Sequence, residues 1–321
     1  MNILITGGTG FFGRALLDYI SVQQRSYIDL SVTVISRSPK LFLAKYPRFK
    51  DLSWLKIIKG DILVKKSLPK DCEFSHIIHA ATESTLSSSI SYKNQYFDII
   101  DGTRNILDLT RQNKKTRLLY ISSGAVYGNH GACLDPLKEE STCNHLPLNS
   151  ENAYGMGKLA SEHMCALYHH TFGLDYTVAR CFSFIGPGLP LNAHYAVGNF
   201  INDALNSRDI VIKGNGKAIR SYLDQRDLAH WLFTLLSKGK QAEVCNVGSD
   251  LAINIKDLAN MIIKEIRPSL SIKILNESVS NNTSRQQYIP NIEKVQTEYG
   301  LSVTIPLEES IRYTARFHAY R

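Results

Sequence analysis

Short apolar runs alternate with longer segments of helical periodicity over the first 180 residues of the chain. The apolar runs predict strands at residues 3–6, 32–36, 55–58, 75–81, 117–122 and 175–181. Hydrophobic residues spaced three and four apart predict helices at residues 13–22, 92–113 and 152–172. Short strands that are apolar throughout and separated by helices indicate a parallel sheet with helices on both faces. We therefore predict an α/β fold with a doubly wound parallel sheet.

The chain after residue 183 has a more mixed pattern. Gly186-Pro187-Gly188 interrupts it, and strands are predicted at residues 211–213 and 243–247, the second of them in the main sheet. Helical periodicity returns at residues 256–266 and 307–317. We expect a main domain made of residues 1–183 with about 221–250, and a smaller C-terminal lobe made of about 184–220 with 251–321.

Composition and charge place the chain among ordinary globular proteins, with 321 residues, 44% of them hydrophobic and 21% charged. The formal net charge of +8 raises the question of nucleic-acid binding. The lysines and arginines are dispersed, however, and the densest group, between Arg111 and Arg117, is typical of a solvated helix end. We predict no nucleic-acid partner and interpret the basicity as suited to a phosphate-bearing substrate.

The six cysteines and the N-terminal sequence indicate in which cellular compartment the protein is expected. The cysteines show neither CxxC spacing nor a histidine at metal-ligand spacing, which indicates a reducing compartment and no metal site. The N-terminus enters a predicted strand at once, so no signal peptide is expected. No apolar run approaches about 18 residues, so no membrane-spanning helix is expected. We expect a cytoplasmic protein without a membrane partner.

A glycine-rich turn follows the first predicted strand. Gly8-Thr9-Gly10-Phe11-Phe12-Gly13 has GxGxxG spacing and opens a helix, which is the context that a dinucleotide-binding Rossmann-type fold requires. Glycine lets the backbone approach a pyrophosphate, and the helix N-terminus offers N–H groups and a positive dipole end to that anion. A purely structural turn is the alternative. The predicted cofactor residues here are Gly7, Thr9, Gly10, Phe11, Phe12 and Gly13.

The end of the second predicted strand bears on the choice of cofactor. An acid there binds the ribose hydroxyls of NAD, whereas an arginine suits the 2′-phosphate of NADP. The strand ends in Ser36-Arg37 with no acid, so we favour NADP(H), with NAD(H) possible and a solvated Arg37 as the alternative. Asp61, after Gly60, is a candidate for the adenine edge or a cap of the next turn.

Tyr154 and Lys158 are four residues apart on one face of a predicted helix. A free tyrosine titrates at about pH 10, and a neighbouring ammonium and an oxidised nicotinamide favour the phenolate, which lowers the pKa of the phenol. Ser123 ends the preceding predicted strand and is placed to hydrogen-bond the same substrate oxygen. YxxxK alone is a weak signal, and it gains weight from Ile121-Ser122-Ser123 and the dinucleotide turn. These three residues are the predicted catalytic group.

An ordered series of motifs resembles the extended short-chain dehydrogenase/reductases that act on nucleotide sugars. Besides the glycine turn and Tyr154-xxx-Lys158, the matching segments are Gly60-Asp61, His79-Ala80-Ala81, Gly102-Thr103-Arg104-Asn105, Ser122-Ser123-Gly124-Ala125-Val126-Tyr127-Gly128, Arg180-Cys181, Gly186-Pro187, Asn199-Phe200 and Arg220-Ser221-Tyr222. The resemblance implies a serine–tyrosine–lysine catalytic group, cofactor contacts from Ile62, Ala80 and Ala81, an NDP-sugar in the C-terminal lobe, and a homodimer formed by the two long helices.

The family includes 4-epimerases, 4,6-dehydratases, decarboxylases and 4-reductases, and two departures favour the last. Dehydratases carry an acidic pair after the catalytic serine or threonine and decarboxylases one glutamate, whereas this chain has Gly124 and Ala125, which are neither acids nor bases. Arg37 favours a consumed NADPH over a recycled NAD. The sequence therefore predicts an NADPH-dependent reductase of an NDP-4-keto-6-deoxy sugar. The alternatives are an NDP-sugar 4-epimerase and a non-catalytic NADP-binding scaffold.

The predicted substrate residues are Thr82, Glu83, Ser183, Asn199, Arg220 and Arg285. Arg220 and Arg285 match two diphosphate-facing arginines of the family, and Ser183 stands where many relatives place asparagine. Asn199 is expected to open a helix and to bind the diphosphate or only to cap that helix. Glu83 either contacts hexose hydroxyls or faces water. His76 and His79 are expected in the core, and Asp227 at a helix start.

Overall fold

The structure, a computed structural model, describes residues 1–23, 29–70, 73–82, 91–113, 115–129, 135–193, 195–276 and 287–319. The predicted substrate residues Glu83 and Arg285 lie outside the described residues. The chain divides into two compact units. The first is Met1–Val126, His145–Arg180 and Ala229–Cys245, and the second is Tyr127–Asn144, Cys181–Leu228 and Asn246–Arg321. Compared with the expected domain limits, residues 127–144, 181–183, 221–228 and 246–250 fall in the second unit.

The helices and strands of the described residues follow in chain order. The strands are β1 (Asn2–Thr6), β2 (Ser31–Ser36), β3 (Leu55–Lys59), β4 (His76–His79), β5 (Arg117–Ser123), β6 (Asp175–Cys181), β7 (Phe184–Ile185), β8 (Ile210–Ile212), β9 (Ile219–Arg220), β10 (Leu223–Asp224), β11 (Glu243–Val247), β12 (Ile253–Asn254), β13 (Ile272–Ile274) and β14 (Gln287–Tyr288). The helices are α1 (Phe11–Gln23), α2 (Pro39–Lys45), α3 (Tyr92–Thr110), α4 (Ala153–Phe172), α5 (Ala196–Leu205), α6 (Gln225–Lys238), α7 (Ile255–Ile266), α8 (Glu293–Tyr299) and α9 (Leu307–Ala319).

Seven strands form one sheet in the order β11-β6-β5-β4-β1-β2-β3. The pairs β1/β2, β1/β4, β2/β3 and β4/β5 are parallel, with Ile3 opposite Val32 on one side and His76 on the other. The chain runs outward from β1 to β3, returns to β4 and continues in the opposite direction, which makes the sheet doubly wound. The predicted fold class is thus confirmed.

The buried strands explain why the apolar runs predicted this sheet so well. Strand β5 is buried over all but its two end residues, and β1 and β6 over all but their first, as strands covered on both faces require. Leu4, Ile77, Leu118 and Val178 of four strands share one core cluster with Ile106 of α3. At the outer edge, β3 exposes lysines, which oppose pairing with another chain.

Element ends differ from the predictions where the chain turns to make specific contacts. The predicted strand at 75–81 ends at His79, because the Ala80 N–H donates to the Thr6 carbonyl at 3.2 Å and the Ala81 N–H to the Thr6 hydroxyl at 3.3 Å. The predicted helix at 92–113 ends at Thr110, and the Arg111 N–H bonds back to Asp108. The strand ends two residues, and the helix three residues, before the predicted limits.

The second unit combines short strands with helices. Strand β9 pairs antiparallel with β12 and parallel with β14, while β8 pairs with β13 and β7 with β10, both parallel. Asp227 lies in the first turn of α6, as expected, and accepts hydrogen bonds from the backbone N–H groups of Thr304 and Ile305 at 2.9 and 3.1 Å. None of the helices in the described part of the chain is both long and apolar enough to cross a bilayer.

Arg117 corrects one expectation from the charge pattern. It lies in the densest basic group, which was expected to be solvated, yet its side chain is only 14% exposed. Its guanidinium donates to Asp175 at 2.8 Å, to the Leu236 carbonyl at 2.7 Å and to the Gly239 carbonyl. One side chain thus joins the first residues of β5 and β6 to the end of α6 within the first unit.

We predict that Arg117→Ala destabilises the protein by on the order of 2–4 kcal/mol, because buried carbonyl oxygens lose their donor and Asp175 loses its cation. The control is Arg104→Ala, which removes the exposed Arg104–Asp101 pair on α3 and should cost less than about 0.5 kcal/mol. Urea unfolding gives both values. Equal losses in the two variants would contradict this account.

Candidate active site

The glycine turn between β1 and α1 is fixed by backbone contacts that leave no room for side chains. Gly7 has a φ of +72°, and a Cβ added to it would lie 2.6 Å from the Ala80 carbonyl carbon. A Cβ on Gly13 would lie 2.2 Å from the Cα of Gly8. Two of the predicted glycines are therefore required by the packing of this turn against β4 and against itself.

Gly10 is different, because the protein itself leaves space beside it. It is exposed, its N–H donates to the Gly7 carbonyl at 2.9 Å, and an added Cβ would approach only that carbonyl oxygen, at 3.2 Å. Helix α1 begins at the next residue, so its first N–H groups face this space. An exposed glycine at a helix N-terminus fits a dinucleotide diphosphate, with Thr9, Phe11 and Phe12 beside it.

The end of β2 carries the residues predicted to select the cofactor. Ser36 is buried and its hydroxyl accepts the Ser38 N–H at 3.2 Å, whereas Arg37 is exposed. Asp61 accepts the Leu63 N–H at 3.0 Å, so it caps the turn after β3, one of its two expected roles. Ile62 is half-buried, and its carbonyl accepts from Asn105 of α3 at 2.8 Å.

Asp98 of α3 joins this group, and the sequence did not indicate it. Partial burial raises the pKa of its carboxyl, as do the neighbouring carboxylates of Asp101 and Asp61, while the Arg37 guanidinium opposes them. Arg37, Asp61 and Asp98 therefore share one electrostatic neighbourhood at the end of β2. A phosphate here would meet one guanidinium together with two carboxylates.

The His79-Ala80-Ala81 segment lines the same edge of the sheet. The His79 ring lies between two hydroxyls, with Nδ1 2.7 Å from Thr6 and Nε2 3.2 Å from Thr103. Burial, with a smaller contribution from the Lys158 ammonium, lowers the pKa of His79 to about 3, so the ring stays neutral. His79 is a core residue, as expected, and it holds Ala80 and Ala81 at the C-terminal end of β4.

Lys158 is the most constrained of the predicted catalytic residues. Its side chain comes from α4 and is buried, yet its ammonium donates to the Ile121 carbonyl and to the Thr82 hydroxyl, both at 2.8 Å. The same nitrogen lies 5.1 Å from the centre of the Tyr120 ring. Helix α4 is thereby bound to the last residues of β5. Tyr154, half-buried one turn earlier, lies on the same face of α4.

Ser123, the third predicted catalytic residue, is the last residue of β5. Its hydroxyl accepts the Ala125 N–H at 3.1 Å, which fixes the turn that follows. The preceding residue, Ser122, is buried and donates to Glu162 of α4 at 2.5 Å, and Glu162 pairs with Arg180 of β6 at 2.7 Å. Ser123 thus ends a strand that two consecutive residues fasten to the helix carrying Tyr154 and Lys158.

The two residues that follow Ser123, Gly124 and Ala125, have no acidic side chain. Gly124–Tyr127 forms a 3-10 turn. Gly155, next to Tyr154, packs so closely on this turn that an added Cβ would lie 2.6 Å from the Ala125 carbonyl oxygen and 2.5 Å from His145. The backbone of Gly124 and Ala125 therefore comes close to the first turn of α4 without offering a carboxylate there.

Comparison with known proteins identifies this arrangement. The sequence profile described as the NAD dependent epimerase/dehydratase family matches residues 3–248. The chain belongs to this family. UDP-glucuronic acid decarboxylase 6 of Arabidopsis thaliana is 27% identical over 318 residues, 97% of this chain and 87% of the relative. The dTDP-glucose 4,6-dehydratase of Haemophilus influenzae is 25% identical, over 100% of this chain and 98% of the relative.

Solved structures show the same fold. The UDP-glucuronic acid 4-epimerase from Bacillus cereus, solved in complex with NAD, superposes with a TM-score of 0.82 over the whole of both chains, at 22% identity. The expected membership of the extended short-chain dehydrogenase/reductases is confirmed, and with it the assignment as an enzyme of this type.

The predicted substrate residues Ser183, Asn199 and Arg220 lie in the second unit. The Ser183 carbonyl accepts the Leu223 N–H at 3.0 Å, and Arg220 donates to the Ile219 carbonyl at 2.7 Å in β9. Asn199 was expected at a helix start, but α5 begins at Ala196 after Tyr195, so Asn199 lies within the helix and does not cap it. Periodicity did not locate this start because the N-terminal residue is not a typical cap.

Two features of this family member were missed in the sequence. Thr82, predicted to contact substrate, binds Lys158, and Glu162 forms the buried network with Ser122 and Arg180. Glu162 lies eight residues after Tyr154 and four after Lys158, so the same helical face carries all three. That spacing could have indicated Glu162, whereas no pattern indicated the bond between Thr82 and Lys158. Within the described residues, no group of three His, Cys, Asp or Glu is placed to hold a metal ion.

We predict that Gly10→Ala lowers the affinity for NADPH or NADH by about tenfold or more, because the added methyl group fills the space into which a diphosphate would come. The melting temperature should fall by no more than about 4 °C, since the one close contact of the added Cβ, 3.2 Å from the Gly7 carbonyl oxygen, is relieved by a small backbone shift. Gly214→Ala, at a glycine with no atom within 4 Å of an added Cβ, is the matched control. Wild-type cofactor affinity in Gly10→Ala would refute this cofactor site.

Proposed function

We propose that this protein is an NADPH-dependent reductase of the 4-keto group of an NDP-4-keto-6-deoxy sugar. The observation that carries the proposal is the pair Gly124 and Ala125, directly after Ser123 and against the first turn of α4. Removal of water across C5 and C6 requires an acid and a base there, and neither residue supplies one. The family members named dehydratase and decarboxylase share the fold, whereas this pair favours a simpler reaction at C4.

The residues present can perform the proton half of a ketone reduction. When bound, reduced nicotinamide supplies a hydride to a carbonyl carbon. Tyr154 donates its phenolic proton to the oxygen that becomes the alcohol, and Ser123 hydrogen-bonds that oxygen. Lys158 presents its ammonium beside the phenol and favours the phenolate left after transfer. The net reaction consumes one NADPH and one proton from solvent, and the tyrosine is reprotonated.

Arg37 supports NADPH as the cofactor, because it is exposed at the end of β2, where no acid precedes it. A guanidinium is the side chain best suited to a phosphate monoester. The carboxylates of Asp61 and Asp98 lie near Arg37 and reduce the positive potential around its guanidinium. The preference for NADPH over NADH therefore depends on this single arginine.

An NDP-sugar as substrate follows from family membership and from the polar residues of the second unit. We assign Ser183, Asn199 and Arg220, together with Arg285, to the diphosphate, and Thr82 and Glu83 to the sugar. The proposed role is in deoxysugar or surface-polysaccharide biosynthesis in the cytoplasm. A homodimer through α3 and α4 is part of the proposal, because Phe97 and Leu167 on these helices are half exposed.

The second candidate is an NDP-sugar 4-epimerase. This candidate is favoured by the structural similarity to a 4-epimerase, which extends over the whole of both chains. Ser123, Tyr154 and Lys158 would serve that reaction equally. In that case Tyr154 removes and returns the proton, and no cofactor is consumed. The two candidates therefore differ in the net balance of NADPH.

We predict that purified protein oxidises about one NADPH per sugar reduced when it is given GDP-, CDP-, dTDP- or UDP-linked 4-keto-6-deoxy sugars, followed at about 340 nm. Tyr154→Phe should lower kcat by about 10²- to 10⁴-fold while cofactor binding is kept. Tyr168→Phe, which removes another hydroxyl of α4 that bonds to Asp108, is the matched control and should stay active. Turnover of an NDP-sugar without net NADPH consumption would establish the epimerase instead.

We predict that Arg37→Glu weakens NADPH binding by about tenfold or more and changes NADH binding little, because the phosphate loses the Arg37 guanidinium and meets a third carboxylate beside those of Asp61 and Asp98. Lys56→Glu makes the same charge change at an exposed position of β3 and should leave both affinities near those of the wild type. Fluorescence titration with each cofactor measures the two constants. Equal losses for NADPH and NADH would show that Arg37 does not select the cofactor.

A further inference from the structure

Three residues on one face of α4 meet the end of β5. Tyr154, Lys158 and Glu162 are spaced four apart, so they lie one above another along the helix. Lys158 binds the carbonyl of Ile121, and Glu162 accepts from the hydroxyl of Ser122 at 2.5 Å. Consecutive strand residues are thus bound to consecutive turns of the helix, immediately before Ser123.

The network around Glu162 is buried and charged, so joining α4 to the sheet through it requires the desolvation of charged groups. The side chains of Glu162 and Arg180 are both 8% exposed, and Arg180 donates to both carboxylate oxygens, at 2.7 to 3.2 Å. Buried ion pairs contribute little net stability compared with apolar residues of the same size, because desolvation offsets their attraction. Their directional hydrogen bonds do fix one relative position of the groups that they join.

We propose that Glu162 is a positioning residue for proton transfer, which sets the register of α4 on β5 and thereby aligns Tyr154 with Ser123. Arg180, on β6, fixes the Glu162 carboxylate in place. Ser122 bonds to that carboxylate and so fixes β5, the strand that ends at Ser123, relative to Glu162. Lys158 makes the second link through Ile121, so two bonds along one helical face fix both the height and the rotation of α4. The inference rests on the proposed function in that Tyr154 and Ser123 act on one substrate oxygen.

Ser122→Ala tests the link with the least disturbance, because it removes one hydroxyl and leaves the Glu162–Arg180 pair in place. Ser161→Ala removes a buried hydroxyl from the neighbouring position of α4 and is the matched control. The first readout needs no substrate: the ultraviolet titration of Tyr154, obtained by subtracting the same protein carrying Tyr154→Phe. In the Ser122→Ala variant the pH at which Tyr154 ionises should differ from that of the wild type by roughly one unit, because a shift of α4 on β5 changes the polar groups of β5 around the phenol.

The second readout is kinetic. Ser122→Ala should lower kcat by about tenfold or more, with KM for the keto sugar changed less than about twofold, because misalignment affects the transition state more than binding. Ser122→Thr, which restores a hydroxyl, should return both the titration and kcat toward those of the wild type. Glu162→Gln should behave like Ser122→Ala if it folds.

Two outcomes would overturn the positioning role. One is a Ser122→Ala protein whose Tyr154 titration and kcat match those of Ser161→Ala. The other is a loss of activity that only follows the fraction unfolded, measured by urea unfolding at the assay temperature. If the wild type reduces none of the keto sugars, the proposed function fails, and the titration of Tyr154 still decides whether Glu162 positions it.

Discussion

The attachment of a buried ammonium to the end of β5 is the constraint on which the site depends. An isolated charge of this kind is costly to remove from water, so Lys158 must find acceptors wherever α4 places it. The Ile121 carbonyl and the Thr82 hydroxyl provide them, and the Tyr120 ring lies beneath the same nitrogen. These contacts hold α4, which begins at Ala153, against the end of β5 and against the turn that follows it at Gly124. The positions of Ser123 and Tyr154 follow from that.

A second constraint lies in the glycine turn between β1 and α1, where the dinucleotide is proposed to bind. The turn after β1 packs its own backbone so tightly that Gly7 and Gly13 admit no side chain, while Gly10 remains open beside the start of α1. The first two glycines are explained by the protein alone, whereas the third fits the proposed dinucleotide, whose diphosphate would approach the backbone there. This difference between glycines of a single motif supports a dinucleotide site more strongly than the spacing does.

The first unit could be predicted in detail because its strands are apolar on both faces. The ends of β6 and β11 agree with the prediction to the residue. Contacts between distant segments could not be predicted. Arg117 finds Asp175, Asp98 approaches Arg37, and Glu162 meets Arg180, all across separations that local patterns do not cover. The proposed catalytic residues Ser123, Tyr154 and Lys158 were predicted as a motif, whereas the side chains that hold them were not. Their catalytic roles stay predictions, as do the roles of Ser183, Asn199 and Arg220 toward a diphosphate.

Together these observations support the proposal that Tyr154 protonates the C4 oxygen while NADPH is consumed. The most direct test uses NADPH that carries deuterium at the transferable position of the nicotinamide, with a 4-keto-6-deoxy NDP-sugar in ordinary water. Mass spectrometry and proton NMR of the product locate the label. The account predicts one deuterium at C4 of the sugar, with an equal amount of NADP⁺ formed, and none with Tyr154→Phe. A product without deuterium at C4, or sugar turnover with NADPH unchanged, would contradict it.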